Sequence, residues 1–247
     1  MSILRVQGVT KKFGAFSALN EASLRVPEKR IDLLIGPNGS GKTTLLNCIS
    51  GVFPYTGEIY FDDVGLSGKK PWEIVNLGIG RTFQIPAPFK RLTVAENLLL
   101  SSKLHPGETF SRSLFPRMWR DHEQELLTRL HSILETIELQ DKCNVLASDL
   151  SGGQLKLLEL GRLLMLGCRL VLLDEPIGGV NPFLANKLLS QIREIRDRFV
   201  TTFLIIEHRL DIAMQYAEFV HVMSDGQVVQ EGTPEQILNS EFYRVYL

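Results

Sequence analysis

Eight consecutive residues, Gly36-Pro37-Asn38-Gly39-Ser40-Gly41-Lys42-Thr43, have the spacing of a loop built to hold a polyphosphate. Glycines let successive backbone N–H groups turn inward around an anion. A helix that starts at the loop adds its unpaired N–H groups and positive dipole end. In such a loop Lys42 reaches the β and γ phosphates, and the Thr43 hydroxyl is a hard oxygen ligand suited to Mg²⁺. A second set, Asp174-Glu175-Pro176, follows the apolar run 170–173. Two carboxylates at the carboxyl end of a buried strand stand where open α/β sheets bind ligands. Asp174 suits Mg²⁺, directly or through water, and Glu175 suits a base that takes the proton of an attacking water. A third feature, Leu150-Ser151-Gly152-Gly153-Gln154, opens a helix: Ser151 is its N-cap, and the glycines expose another set of N–H donors.

These groups need strands and helices on either side, and the hydrophobic period predicts them. Alternation predicts strands over 4–9 and 22–26, and the short apolar run 31–35 reads as a buried strand stopping at Gly36. A helical period follows over 42–50, then a strand over 58–62. From Pro86 to Leu150 the pattern is helical, over 94–103 and 124–139, around a Pro, Gly, Ser and Arg-bearing stretch at 104–120 whose Arg112, Arg117 and Arg120 read as a solvated loop. Helix 153–167, strand 170–173, helix 184–199 and strand 202–206 imply parallel pairing with a crossover. Asp225-Gly226 between two apolar runs signals a hairpin.

Composition limits what such a chain does. With 247 residues, 44% of them hydrophobic, there is one large core to bury, or one domain with an inserted lobe, and no room for two catalytic units. A formal net charge of -1 supplies no overall field for nucleic acid or an anionic membrane. The N-terminus lacks the basic-then-apolar layout of a signal peptide, and the most apolar stretch, 163–173, is broken by Arg169. Membrane work is therefore expected through a partner. Cys48, Cys143 and Cys168 lack CxxC spacing and read as reduced core residues rather than disulfides or a zinc site.

The order of motifs is more specific than any one of them. Phosphate loop, Gln84, LSGGQ, an apolar strand ending Asp174-Glu175-Pro176, and His208 after strand 202–206 together resemble the ATP-binding cassette (ABC) ATPases. The resemblance covers nearly the whole chain. It implies a phosphate-loop NTPase α/β core with an N-terminal antiparallel β subdomain and an inserted α-helical subdomain. All of 1–247 would form one ATP-binding domain, with 1–85 and 160–247 as its core and 86–159 as the helical insertion. It further implies Mg²⁺-dependent ATP hydrolysis, with Gly36 to Thr43 and Thr44 on the nucleotide. Two cassettes sandwich two ATP molecules head to tail, so Ser151, Gly152, Gly153 and Gln154 would serve the nucleotide on the opposite subunit's Lys42. Gln84 corresponds to the glutamine that touches Mg²⁺ and the attacking water, His208 to the switch histidine at the γ phosphate, and Phe13 to the aromatic on which adenine stacks. Two positions depart from the family pattern: Asn181 replaces the aspartate of the D-loop, and Arg209 stands where many relatives have Asp.

Gly80-Arg81-Thr82-Phe83-Gln84, the stretch Phe89 to Asn97, Gly179-Val180-Asn181-Pro182 and Glu207-His208 narrow the resemblance to the LivG-type ATPases of branched-chain amino acid importers, with urea and amide importers close by. That type implies a peripheral protein on the cytoplasmic face of the inner membrane. It pairs with a second ATPase, a copy of itself or a LivF-like companion, beneath two membrane permeases fed by an extracytoplasmic binding protein. Pro86, Pro88, Phe89, Lys90 and Arg91 are then the expected exposed surface for a permease helix. The alternative is a non-transport cassette protein of repair, chromosome structure or translation. Repair and chromosome types carry a long coiled coil before the signature and translation types two copies per chain; neither is present. The absence of an NKxD motif and the presence of LSGGQ disfavour a GTPase or small-molecule kinase. A non-catalytic regulator would be expected to lack Glu175 or His208.

Overall fold

The structure, a computed structural model, describes residues 2–82, 87–102 and 120–240. Contacts divide the chain into two compact units, Met1–Gln84 with Arg169–Leu247, and Ile85–Cys168. In the first unit β1 (Ser2–Phe13) and β2 (Phe16–Pro27) pair antiparallel and run well past the predicted strands 4–9 and 22–26. Polar Lys11 and Lys12 break the alternation yet still pair, because register shifts between Val6 and Lys12 absorb the mismatch. β3 (Ile31–Ile35) coincides with the apolar run and is buried throughout. After the phosphate loop comes α1 (Lys42–Ile49), then β4 (Thr56–Phe61) and β5 (Val64–Gly65), which complete a four-stranded antiparallel sheet in the order β2-β1-β4-β5. α2 (Pro71–Leu77) and β6 (Ile79–Arg81) end this half. Three residues are too few to show a period, so β6 has no sequence signal of its own.

The Ile85–Cys168 unit packs α3 (Val94–Leu100), α4 (Arg120–Thr136) and α5 (Gly152–Leu166) against one another. Position 160, the boundary expected from sequence, falls inside α5; the contacts divide the chain at Cys168 because α5 continues to bury Leu160 and Leu164 to its end. Buried Asn97 organises the segment before α3: its amide donates to the carbonyls of Phe89, Leu92 and Thr93, and its Oδ1 accepts from Phe89 N at 2.9 Å. These bonds draw residue 88 inward. Pro88, expected on the surface, is buried, whereas Phe89, Lys90 and Arg91 are exposed.

In the rest of the first unit, β7 (Leu170–Asp174), α6 (Pro182–Phe199), β8 (Thr202–Ile206), the short α7 (Leu210–Ala213), β9 (Phe219–Ser224), β10 (Gln227–Gly232) and α8 (Pro234–Leu238) follow in order. The second sheet has the order β10-β9-β3-β8-β7-β6, parallel except for the β10 edge. The predicted hairpin is present at Asp225-Gly226, both at positive φ as a two-residue turn requires. Its first strand does more than pair with its second, joining the core sheet beside β3. Leu45, Leu46, Cys48 and Ile49 of α1 share one hydrophobic cluster with Leu34, Leu172, Leu204 and Ile206 of this sheet and with Leu4, Val6 and Phe61 of the other. Each such side chain contributes about 1.5–3 kcal/mol by burial. All three cysteines are free, and burial pushes the Cys48 thiol up to about 11, an inert core group as expected. Among the described residues no helix is long and apolar enough to cross a membrane.

A buried charged chain ties β3 to the β9–β10 edge. His221, fully buried, has Nε2 2.9 Å from Asp32 Oδ2 and Nδ1 2.6 Å from Glu231 Oε1, while Arg30 grips Asp32 at 2.5 and 2.7 Å. Burial disfavours the imidazolium, but the bonds to Asp32 and Glu231 outweigh it and raise the His221 pKa. A raised folded pKa gives stability that is full below the unfolded value of about 6.5 and is lost as pH climbs through the folded value. Breaking such a group costs about 3 kcal/mol. Urea melts should therefore find His221→Ala less stable than the parent by about that much at pH 6, with the gap closing as pH rises above 6.5. A gap independent of pH would show that His221 is neutral in the fold.

Candidate functional site

β3 ends at the centre of the core sheet and delivers the chain into the phosphate loop. Gly36 has φ 146° and Gly41, which caps α1, has φ 100°; a Cβ on them would meet Met223 O at 2.1 Å and Ala18 O at 2.5 Å. Any side chain there would both strain the backbone and collide with main-chain atoms. The hairpin turn braces the loop, since Gly226 N donates to Ser40 O at 3.1 Å and Gly226 O accepts from Asn20 N at 2.9 Å. Lys42 is 6% exposed and donates to Gly36 O at 2.8 Å and Pro37 O at 2.9 Å. Burial lowers its pKa, opposed by the fields of Glu175 and Asp174.

Parallel pairing of β7 with β8 brings the two carboxylates and the histidine to the same edge. Thr43 Oγ1 lies 3.5 Å from Asp174 Oδ1, and the other Asp174 oxygen takes Arg81 Nη2 at 3.3 Å. Burial raises the Asp174 pKa, and Arg81 and Thr43 hold it back. Arg81, at the end of β6, is itself fixed by Asn47 Oδ1 at 2.7 Å and Ser50 Oγ at 3.2 Å. Glu175 sits at φ 52°, a left-handed conformation that costs a non-glycine residue about 1–3 kcal/mol and that clusters at functional sites. Its Oε1 is 3.2 Å from His208 Nε2.

An open cleft of about 290 Å³ lies between the phosphate loop and the Glu175–His208 pair. Asn38, Gly39, Gly41, Lys42, Thr43 and Thr44 line one side, and Glu175 and His208 another. Phe13 and Phe16 supply an aromatic wall. Phe13 is held edge-on to Phe53 at 5.3 Å, with the Lys11 ammonium 4.9 Å from its ring centre. Phe16, 63% exposed, is an addition the motifs did not single out; its only signal is an exposed aromatic three residues beyond Phe13 across the Gly14 turn. Arg81 and buried Glu207 stand in motifs already singled out but without a role; their contacts with Asp174 and with Ile177 come from strand adjacency rather than local spacing.

In the helical unit, Ser151 Oγ accepts from Gln154 N at 3.4 Å while Gln154 Oε1 accepts from Ser151 N at 2.9 Å. This capping box presents the first-turn N–H groups of Gly152 and Gly153, which no helical carbonyl can reach. Asn181 Oδ1 accepts from Leu184 N at 2.8 Å, so the residue that replaces the D-loop aspartate works as the N-cap of α6. Gln84 and Pro86 lie outside the described residues.

The arrangement fits a phosphate-binding, water-activating site. Residues 19–178 match the ABC transporter family. The chain is 43% identical over 237 residues, 96% of its length and 91% of the relative's, to a probable branched-chain amino acid transport ATP-binding protein LivG of Methanocaldococcus jannaschii. It is 36% identical, over 99% of its length and 97% of the relative's, to the high-affinity branched-chain amino acid transport ATP-binding protein BraF of Pseudomonas aeruginosa. Among solved structures, an ATP-binding cassette of an ABC transporter in its ADP conformation superposes with a TM-score of 0.84 at 41% identity, covering 99% of this chain and 97% of that one. The chain is a member of the ABC transporter family and has the fold of its ATP-hydrolysing cassettes.

Proposed function

We propose that this chain is the ATPase subunit of an importer for branched-chain amino acids or a related small polar solute, working from the cytoplasmic face of the inner membrane. The observation that carries the hydrolytic part is the 3.2 Å pairing of Glu175 with His208 in the cleft lined by Lys42 and the phosphate loop. ATP sits with its phosphates on the loop N–H groups and Lys42 and its adenine against Phe13. Glu175 accepts the proton of the attacking water, and His208 contacts the γ phosphate. Thr43 Oγ1 and Asp174 Oδ1, two oxygens 3.5 Å apart, match Mg²⁺, which binds nucleotide phosphates with few protein ligands. When bound, Mg²⁺ neutralises phosphate charge. Gln84 is assigned to the same ion and water from motif order alone. Ser151, Gly152, Gly153 and Gln154 complete the site of a second cassette subunit, either a copy or a LivF-like partner.

The transport part rests on full-length similarity to the LivG and BraF proteins. Permease subunits are the expected partners, fed by an extracytoplasmic solute-binding protein, with exposed Phe89, Lys90 and Arg91 as the docking face. Gentle purification from native membranes is expected to recover two permeases and a second cassette. ATPase activity of that complex is expected to rise when a binding protein loaded with leucine is added. Recovery of the chain without any permease would favour the non-transport reading.

A further inference from the structure

Glu207 and Arg209 flank His208, and both reach into the loop that carries Glu175. Glu207 is 2% exposed. Its Oε1 accepts from Ile177 N at 2.7 Å and its Oε2 from His208 N at 3.2 Å. The two donors converge on two different oxygens of one side chain, so a carboxylate accepts both, whereas an amide has a single acceptor oxygen and turns its NH2 toward the other donor. From the other side of His208, Arg209 Nη1 donates to Val180 O at 2.8 Å. Ile177 and Val180 bracket the two glycines that follow Glu175, so both contacts fall on the main chain of one loop. That loop contains the left-handed Glu175, whose own backbone is tied at Ile206 O by a 2.9 Å bond and at Gly178 N by one of 3.0 Å. A strained conformation persists only where its surroundings over-determine it, and Glu207 and Arg209 add side-chain ties at Ile177 and Val180 to the loop that holds it.

We propose that Glu207 and Arg209 are positioning residues forming a two-sided clamp that fastens the 175–180 loop to the turn after β8 and so sets the approach of Glu175 to His208. This gives Arg209 a part in positioning the reacting groups. It rests on Glu175 being the base. A displacement of the order of 1 Å at a reacting group costs about 100-fold in rate.

The test uses the full chain carrying Glu207→Gln, Glu207→Ala, Arg209→Lys or Arg209→Ala, alone and combined with Glu175→Gln. Turnover, KM, equilibrium binding of a fluorescent ATP analogue and thermal melting are measured. Glu207→Ala and Arg209→Ala are expected to lower kcat by about 10- to 100-fold with analogue affinity nearly unchanged. Arg209→Lys, which keeps a donor, recovers most of the loss. Combined with Glu175→Gln, the same substitutions add little, because they act through the carboxylate already removed. Should Glu207→Ala fail to fold, Glu207→Gln retains the shape and one acceptor oxygen and carries the comparison. Full kcat in folded variants overturns the clamp, as do losses that add to Glu175→Gln or that fall equally on affinity. If Glu175→Gln itself turns over normally, the base assignment fails and the clamp with it; an inert Glu175→Gln beside fully active Glu207→Ala and Arg209→Ala overturns the clamp alone.

Discussion

Replacing Glu175 by Gln is expected to cut ATP turnover by about 10²- to 10⁴-fold, the range of a general base, while leaving ATP affinity close to that of the parent. The side chain is well placed for this separation. It lies in the cleft with Lys42 but makes no bond to the phosphate-loop backbone, and its partner is His208 Nε2 at 3.2 Å. The amide keeps the volume and a hydrogen bond to His208 but cannot take a proton from water. Its backbone remains tied to Ile206 O, so the left-handed turn and the loop behind it survive. With hydrolysis stopped and binding intact, the ATP-bound cassette pair should accumulate, read as a shift to a larger species in size-exclusion chromatography with ATP and Mg²⁺. Phosphate release in a single turnover measures the rate loss. Turnover within about twofold of the parent, well short of what general bases contribute, would move the base elsewhere in the cleft.

What the sequence made legible is what is local along the chain. Gly36 to Thr43 needs only a strand before it and a helix after it, and both read directly from period, so the loop, Lys42 and Thr43 fall where expected. Asp174 and Glu175 were legible because they end an apolar run. What was not legible depends on which strands lie side by side. Arg81 meets Asp174 because β6 pairs with β7, with Arg81 opposite Leu172, two residues before the carboxylate. Glu207 reaches Ile177 because β7 pairs with β8, with Asp174 opposite Ile206. No spacing in the chain encodes either contact, and a three-residue β6 gives no signal of its own. Pro88 went the other way: its surroundings read as an exposed proline-rich connection, but Asn97, nine residues on, pulls it in through bonds to the neighbouring Phe89. His208 and Phe13 are single residues without local pattern, and only the order of motifs marked them out. The cleft then brings both beside the phosphate loop.

Lys42→Ala is expected to act on the other half of the cycle, binding, and to do so for two reasons of the same sign. The ammonium donates to Gly36 O and Pro37 O across the loop, so its loss removes the tie that keeps those carbonyls turned toward it and away from an incoming anion. With Arg81, which pairs with Asp174, it is also one of the cations balancing Asp174 and Glu175, whose fields oppose the burial that lowers its pKa. Without it, a polyphosphate would enter a cleft whose nearest side-chain charges include two carboxylates, and like charges at that range repel. One charge-assisted hydrogen bond contributes about 1.5–3 kcal/mol, and each 1.4 kcal/mol is about tenfold in affinity. Lys42 reaching two phosphates therefore accounts for a loss of about 100-fold or more in ATP affinity. The fold should be spared, since α1 is anchored by Leu45, Leu46 and Ile49, which are fully buried. The measurement is a titration with a fluorescent ATP analogue alongside a thermal melt: a melting temperature near the parent's with weak binding is the expected pair. Unchanged affinity would mean that the loop N–H groups alone hold the phosphates. Lys42 would then serve hydrolysis only, and the division of labour between Lys42 and Glu175 would collapse.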